Sequence, residues 1–283
     1  MNIRFCLILI SIFILMDKNI NASELNILSD NIEVSGDGKK VKSINTKATI
    51  DKEGLEIQGN QSLYNKDTQE MIIEKNVLFL DKIKNISIET EKAIYNQKKN
   101  FLTTVGKTKI NLEDDYIIIS RDIFYDRKLE KIYSSYETTI NDQDGNVYNT
   151  EERLILDLKN EIVSTDNISI LDTDNNIYLF ENAKVNLISK EILGKEILID
   201  FEDGYFGNKK NNPILKGRSA LSNKNETKVY KTVFSTCNTE KKNCPGWSIE
   251  TEEFTHDKVN KVFNYKNSWL KVFDKEIFYF PFF

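Results

Sequence analysis

The residues with the most reactive side chains are few in this chain. His256 is its one histidine and precedes Asp257, and its three cysteines are Cys6, Cys237 and Cys244. A single histidine excludes a metal site built from several histidines, and acid–base catalysis by an imidazole would depend on His256 alone. Because the pair 256–257 occupies a position that recurs along the chain, we interpret His256 as a surface or hairpin residue rather than as a base.

Two segments resemble the start of a ligand-binding loop without completing it. Residues 106–108, Gly-Lys-Thr, would need a glycine five positions earlier to form a phosphate-binding loop, and that position is Phe101. We interpret them as the start of a strand. Residues 172–176 resemble the opening of an EF-hand loop, but Ile177 stands at its glycine position and Ala183 at its final carboxylate position. No metal or other cofactor is expected.

Acidic residues cluster at 113–115 and 151–152, and residues 142–146 read Asp-Gln-Asp-Gly-Asn. Paired carboxylates can act as general acid and base, but charged turns and solvated faces explain such clusters more simply. The run at 142–146 suits a hairpin turn. Since no Gly-x-Ser-x-Gly or histidine-rich signature is present either, we expect that the protein is not an enzyme.

The composition is that of a folded, mildly acidic protein. The 283 residues include 39 Lys and Arg against 44 Asp and Glu, for a formal charge of −5, and 40% are hydrophobic. This balance provides no basic surface for nucleic acid. Three prolines and 11 glycines are too few for a disordered or collagen-like chain. The length allows one elongated domain or two compact ones.

The first 22 residues have the features of a secretory signal peptide. Arg4 provides the positive charge, residues 5–16 are apolar apart from Ser11, and Ala22 ends a plausible cleavage site. The apolar run is shorter than the roughly 20 residues that span a bilayer. We therefore expect export, removal of Cys6 with the signal, and a compartment in which Cys237 and Cys244 can form disulfides.

The remainder of the chain predicts strand after strand. Short Ile- and Leu-rich segments such as 86–89, 154–158 and 197–200 alternate apolar with polar residues, as half-buried strands do. Gly and Asn residues at 37–38, 144–145, 175–176 and 203–204 mark tight turns between them. The sequence therefore predicts an all-β protein.

An internal repeat of about 30 residues supports this prediction. The pairs Tyr64-Asn65, Tyr95-Asn96, Tyr125-Asp126 and Leu156-Asp157 are separated by 31, 30 and 31 residues. A unit of this size is too small to bury its own apolar face, so stacked units would share one core. Such a stack has two open edges on which another strand can pair.

The carboxyl-terminal segment carries the most specific signal. Thr236-Cys237 is followed by a polar loop, Trp247, the pair 256–257 and an aromatic end in which five of the last six residues are Phe or Tyr. An aromatic strand of this kind suits a membrane interface. This order of residues resembles the periplasmic part of the LptD family of lipopolysaccharide-assembly outer-membrane proteins, also called OstA or organic solvent tolerance proteins. The repeats before it are similar to the OstA-like repeats of that family.

The resemblance implies a fold, a ligand and partners. The fold is an elongated, open, V-shaped β-jellyroll, the β-taco, whose interior holds the acyl chains of lipopolysaccharide. The implied partners are an LptA-like periplasmic bridge protein that docks edge to edge, and an LptE-like lipoprotein that sits inside an outer-membrane barrel. Members of the family continue into that barrel, so we expect this chain to be truncated before it. The expected divisions are a signal peptide (1–22), a periplasmic jellyroll (23–235) and a transition into the barrel (236–283).

Ten apolar residues of the alternating segments are the candidates for a lipid-binding groove, and ordinary core packing is the alternative for each. They are Ile86, Ile88, Ile117, Ile119, Leu154, Leu156, Ile168, Ile170, Ile197 and Ile199.

The resemblance also implies that Cys237 forms a disulfide with the barrel, whereas a local bridge between Cys237 and Cys244 is the alternative. Two other functions remain open. One is a free-standing LptA- or LptC-like bridge protein, which would share the groove. The other is a secreted β-solenoid that acts as an adhesin or scaffold, with an interior filled by side chains.

Overall fold

The computed structural model of the protein describes residues 24–113, 115–202, 213–236 and 246–283. In these ranges the chain is all-β, as the sequence predicts, with one short 3-10 turn at Asp51–Glu53 and no α-helix. In chain order the strands are β1 (Asn26–Leu28), β2 (Asn31–Ser35), β3 (Lys40–Ile50), β4 (Leu55–Asn65), β5 (Glu70–Asp81), β6 (Ile86–Asn96), β7 (Phe101–Leu112), β8 (Tyr116–Arg121), β9 (Phe124–Asp126), β10 (Lys131–Ser134), β11 (Thr138–Asp142), β12 (Val147–Thr150), β13 (Leu154–Asp157), β14 (Ile162–Leu171), β15 (Ile177–Asn186), β16 (Ile192–Asp200), β17 (Ile214–Ser222), β18 (Glu226–Ser235), β19 (Trp247–Asp257), β20 (Val262–Val272) and β21 (Lys275–Phe282).

Most strands contribute to two layers that pack face to face, as in a jellyroll. Each long strand bends near its middle, and in several pairs the hydrogen-bond register shifts there, for example between Gln58 and Gln61 of β4. The half-strands that meet at the β3–β4 and β5–β6 turns form layer 1, and those that meet at the β4–β5 and β6–β7 turns form layer 2. The Phe79 ring of layer 1 lies 6.0 Å from the Tyr95 ring of layer 2.

The strand pairs of the described ranges are all antiparallel, and consecutive long strands are neighbours. Where one strand does not cross the bend, two short strands replace it: β8, β11 and β12 lie in layer 1, and β9, β10 and β13 lie in layer 2. Antiparallel stacking differs from the parallel coils of a β-solenoid. It confirms the predicted stacked, all-β architecture.

The bend lets both halves of a strand face the same interior. In β6, Ile86, Ile88 and Thr90 are buried before the bend, and Ala93 and Tyr95 after it. The inward positions therefore change from even to odd numbers, as an irregular residue in a strand produces. At several bends that residue has a positive φ, as at Asn45, Asn167 and Asn267, and asparagine tolerates this conformation better than most residues do.

We call the line of bends the spine, and its inward side chains are small. Hydroxyl groups dominate it and bond to one another, as in Ser43 to Ser62 at 2.6 Å and Thr104 to Thr108 at 2.7 Å. Gly194 lies there too, and a Cβ on it would come within 2.1 Å of the Phe180 ring. The layers meet at the spine, so larger side chains have no space between them. Away from the spine, the apolar core runs as one cluster from Ala48 in β3 to Tyr265 in β20.

The repeat read from the sequence corresponds to strand ends. Asn65, Asn96, Asp126 and Asp157 each end a strand of layer 2, and their side chains accept hydrogen bonds from backbone N–H groups two or three residues later. These are Asx turns, for which Asn and Asp are suited. One repeat is therefore one pass from layer 2 to layer 1 and back.

The turn predictions are confirmed where the structure describes them. Asp37, Gly38, Gly145 and Asn175 have positive φ values, whereas residues 203–204 lie outside the described ranges. Gly106 does not start a strand: it lies inside β7 with φ 85° at the bend. The short strands β9 and β10 flank the Asp126–Lys131 turn.

Two sheet edges are open within the described ranges. β1 and β2 pair with β3, and β21 pairs with β20, without a second neighbour on the described chain. In the part of the chain that the structure describes, no helix has the length and apolar character needed to cross a bilayer.

Candidate functional site

The interior between the two layers is the most extended apolar feature of the molecule. Eight of the ten candidate groove residues are buried in it, at 3% exposure or less. They come from β6, β13, β14 and β16, and they belong to the same continuous core cluster. These eight residues are Ile86, Ile88, Leu154, Leu156, Ile168, Ile170, Ile197 and Ile199.

The other two candidates, Ile117 and Ile119, were assigned to the wrong face of β8. Ile117 is 42% exposed and Ile119 is half-buried on the same outer face, whereas Tyr116 and Ile118 point inward. The error has a physical reason. Residues 116–119 are apolar on both faces, so alternation cannot identify the inner one.

The open side of the jellyroll, opposite the spine, is lined by two rows of turns. Rim 1 comprises the turns at the ends of layer 1, which are β3–β4, β5–β6, β7–β8, β11–β12 and β14–β15. Rim 2 comprises those at the ends of layer 2, which are β4–β5, β6–β7, β9–β10, β13–β14, β15–β16, β17–β18 and β19–β20. Ion pairs cross from one rim to the other. Most place the acid on rim 1 and the base on rim 2, although Lys84 and Glu130 pair in the opposite sense at 2.7 Å.

The strongest cross-rim contact is centred on Arg127 of rim 2. Its Nε donates to Asp81 at 2.8 Å, and its Nη1 donates to Glu53 at 2.9 Å and to Asn100 at 2.8 Å. The Tyr125 hydroxyl donates to the same Asp81 carboxylate at 3.0 Å. The Asp81 side chain is 1% exposed and that of Arg127 is 9% exposed. We call this group the Arg127 latch.

A second buried contact, the Lys190 latch, lies further along the rims. The Lys190 ammonium group of rim 2 contacts the Tyr116 hydroxyl and lies 3.5 Å from Asp142, both on rim 1. The Tyr116 hydroxyl also donates to the carbonyl of Leu187 on rim 2. Burial alone would raise the pKa of Asp142, but hydrogen bonds from Asn146 and the charge of Lys190 hold this pKa below its ordinary value.

Beyond it, the cross-rim pairs are more exposed. Lys224 lies 3.7 Å from Asp144, and Lys261 lies 3.3 Å from Asp174. Exposed pairs contribute about 0.2–1 kcal/mol each at most. The rims are thus held tightly at two places and weakly elsewhere.

The rim 1 turns that present these acids share a motif that the sequence analysis missed. Asp142 accepts hydrogen bonds from the backbone and side-chain amides of Asn146 and from the Tyr148 hydroxyl. The same contacts recur 30 residues later, between Asp172, Asn176 and Tyr178. The signal was the spacing Asp-x-x-x-Asn-x-Tyr, present twice. These runs are hairpin turns, as predicted for residues 142–146.

Between the two latches the rims leave an opening, which we call the window. A cavity of about 410 Å³ lies there. Its deep wall includes the buried Ile86, Leu156 and Leu187, and its lips include Ile83 on rim 1 and Ile188 on rim 2, which are 65% and 70% exposed. The window therefore connects solvent to the apolar interior.

His256 is buried near the end of β19 and is not at the surface. The residue is 1% exposed, and its ring lies 5.7 Å from Phe201 and 4.9 Å from Phe263. The hairpin position is as predicted, but its side chain points into the core. Burial first, and then the charge of Lys258, lower the pKa of His256 to about 4.

This pKa predicts that stability falls in mild acid. Between the unfolded pKa near 6.5 and the folded pKa near 4, the unfolded chain binds the proton more readily, so unfolding becomes easier as pH decreases. The loss amounts to about 3 kcal/mol at 1.36 kcal/mol per pKa unit. Denaturant titrations from pH 7 to pH 4.5 should show this slope, and His256→Phe should remove it. An equal slope in both proteins would contradict the assignment.

The predicted disulfide residues Cys237 and Cys244 lie outside the described residues. Among the described ones, no group of three or more His, Cys, Asp and Glu side chains is placed to hold a metal ion. No protein-family model matches the chain, and no curated protein matches it either.

Proposed function

We propose that the protein carries lipopolysaccharide through the periplasm as part of an LptD-like outer-membrane assembly machine. In this proposal it is exported, receives the lipid from an LptA-like bridge protein and passes it to the outer membrane. One observation carries the proposal: a continuous apolar interior lies between two layers that are joined covalently at the spine, while across the rims the contacts involve side chains.

The interior matches the acyl part of such a lipid. Burial of each CH₂ group contributes about 0.8 kcal/mol, so several acyl chains need an extended apolar surface to leave a membrane. The Ile and Leu side chains of the eight buried candidates make contacts without hydrogen-bond geometry, which suits a ligand that must move. A sugar and phosphate headgroup would remain in water outside the rims.

The distribution of contacts favours opening at the rims. At the spine each long strand passes from one layer to the other, so separation there would break backbone pairing. At the rims, separation breaks the Arg127 and Lys190 latches and a few exposed ion pairs. We therefore propose that the layers hinge about the spine when lipid occupies the interior.

The two open edges support the proposed partners. β21 presents Ile277, Phe278, Tyr279 and Phe282, each at least 42% exposed, beside its unpaired edge. Exposed aromatic strands suit a membrane interface, and we propose this end as the one that meets the outer-membrane barrel and its LptE-like lipoprotein. The β1–β2 edge then remains for an LptA-like bridge, by strand addition. A disulfide from Cys237 to the barrel belongs to the same proposal.

A free-standing LptA- or LptC-like bridge protein is the second candidate. Two open edges at opposite ends of one strand order favour it, because a bridge must bind a partner at each end. The exposed aromatic residues of β21 favour the first candidate, since a bridge in water would leave them uncovered.

Lipid binding by the exported, purified protein tests the function. We expect binding of intact lipopolysaccharide and loss of binding when its acyl chains are removed by hydrolysis, since the interior recognises hydrocarbon. Ile117→Asp, on the outer face, should bind as the original protein does. Equal binding of the acylated and deacylated forms would contradict the proposal, because the headgroup would then be the recognised part.

A further inference from the structure

We infer that the window is a lateral site for a single acyl chain, through which hydrocarbon enters or leaves the interior between the two latches. This inference rests on the proposed function and adds a location to it. Without such a site, a chain would have to slide in from an end of the stack.

The walls of the window define the chemistry of its ligand. Ile86 and Leu156, at its inner end, are core residues of β6 and β13, and Leu112 and Leu158 line the path between them and the lips. A ligand inside it is therefore in contact with hydrocarbon along its length. The inner end continues into the core of the molecule, so a long flexible chain can extend further than a compact group can.

The charged residues of the window stand at its outer end and are already paired. Lys84 bonds Glu130 at 2.7 Å, and Lys190 lies close to Asp142 and Asp144 at 3.5 Å and 3.9 Å. Such neutralised groups give little preference for a phosphate or for any other ion. The ligand recognised here is thus the apolar chain, and its polar end projects into water between the rims.

The latches set the size of what can pass. The Lys84–Glu130 pair and the adjacent Arg127 latch bound one side, and the Lys190–Tyr116–Leu187 contact bounds the other. With both in place, the opening accommodates one chain rather than the whole acyl part of a large lipid. A multi-chain lipid would then need a latch to open, whereas a single-chain amphiphile would not.

Photolabelling of the full chain tests the site. The probe is palmitic acid with a diazirine at its methyl end, and labelled peptides are mapped by mass spectrometry. We expect adducts in peptides that contain Ile83–Ile86, Leu156–Leu158 or Leu187–Ile188. The double variant Ile83→Asp with Ile188→Asp should lose these adducts, because it places charge on both lips. Both residues are largely exposed, so the fold should tolerate the change.

Val259→Asp is the matched control. Val259 is 70% exposed on another rim 2 turn, and its variant should be labelled as the original protein is. Adducts spread evenly along the interior and unchanged in the double variant would overturn the window while leaving lipid carriage intact. No labelling together with no lipopolysaccharide binding would overturn both. No labelling with retained lipopolysaccharide binding would overturn the window alone.

Discussion

Arg127→Met is expected to lower the free energy of unfolding by about 3–5 kcal/mol, because it leaves the buried Asp81 carboxylate without its cationic partner. The methionine keeps most of the apolar stem, so the loss reports the charge and its hydrogen bonds rather than a cavity. Arg127 bonds Asp81, Glu53 and Asn100 from one guanidinium group. Urea unfolding monitored by circular dichroism measures the change.

Two further variants separate the latch from a general effect of losing an arginine. Arg121→Met removes an arginine whose side chain is 60% exposed and pairs with Asp122 at 3.2 Å, and we expect a change within about 0.5 kcal/mol. Asp81→Asn combined with Arg127→Met should cost less than the sum of the single changes by more than about 1 kcal/mol, as coupled neighbours do. Additive losses, or equal losses at Arg121 and Arg127, would refute the latch.

Much of the fold could be predicted from local patterns. Alternating segments predict the strands, and the Asp-Gly and Asn-Asn signals at 144–145 and 175–176 mark turns that the structure contains. The repeated pairs that end in Asn65, Asn96, Asp126 and Asp157 mark Asx turns, because short-range hydrogen bonding dictates which residue ends the strand. These features depend on neighbours a few residues apart, which sequence reasoning sees well.

The rim contacts could not be predicted in the same way. Arg127 and Glu53 are 74 residues apart, as are Tyr116 and Lys190 nearly so, and no local pattern pairs them. An arginine within a polar turn looks like a solvated side chain until the opposite rim is placed beside it. His256 shows the same limit, since its burial results from Phe201 of another hairpin.

The groove prediction succeeded where alternation was clear and failed where it was not. In β14 and β16 apolar residues lie inward at every second position, and the selected residues are buried. In β8, four consecutive apolar residues give two possible faces, and Ile117 and Ile119 were on the wrong one. The bends add a further difficulty, because the inward parity changes in mid-strand at residues such as Asn167 whose φ the sequence alone does not reveal.

The second prediction with a large effect uses this correction directly. A photoreactive amino acid placed at Ile118 should capture lipopolysaccharide during transport in a Gram-negative host, whereas the same residue at Ile117 should not. The two positions are adjacent on β8, and one is 3% exposed inside the jellyroll while the other is 42% exposed outside it. Leu156 and Ile155 provide the same comparison on β13, where Leu156 is buried and Ile155 is half-buried.

Site-specific crosslinking at these two pairs is the most direct test of whether the interior carries lipid. The account predicts lipopolysaccharide adducts at Ile118 and Leu156, with few or none at Ile117 and Ile155. Equal adducts at all four positions, or adducts confined to the outer pair, would contradict it.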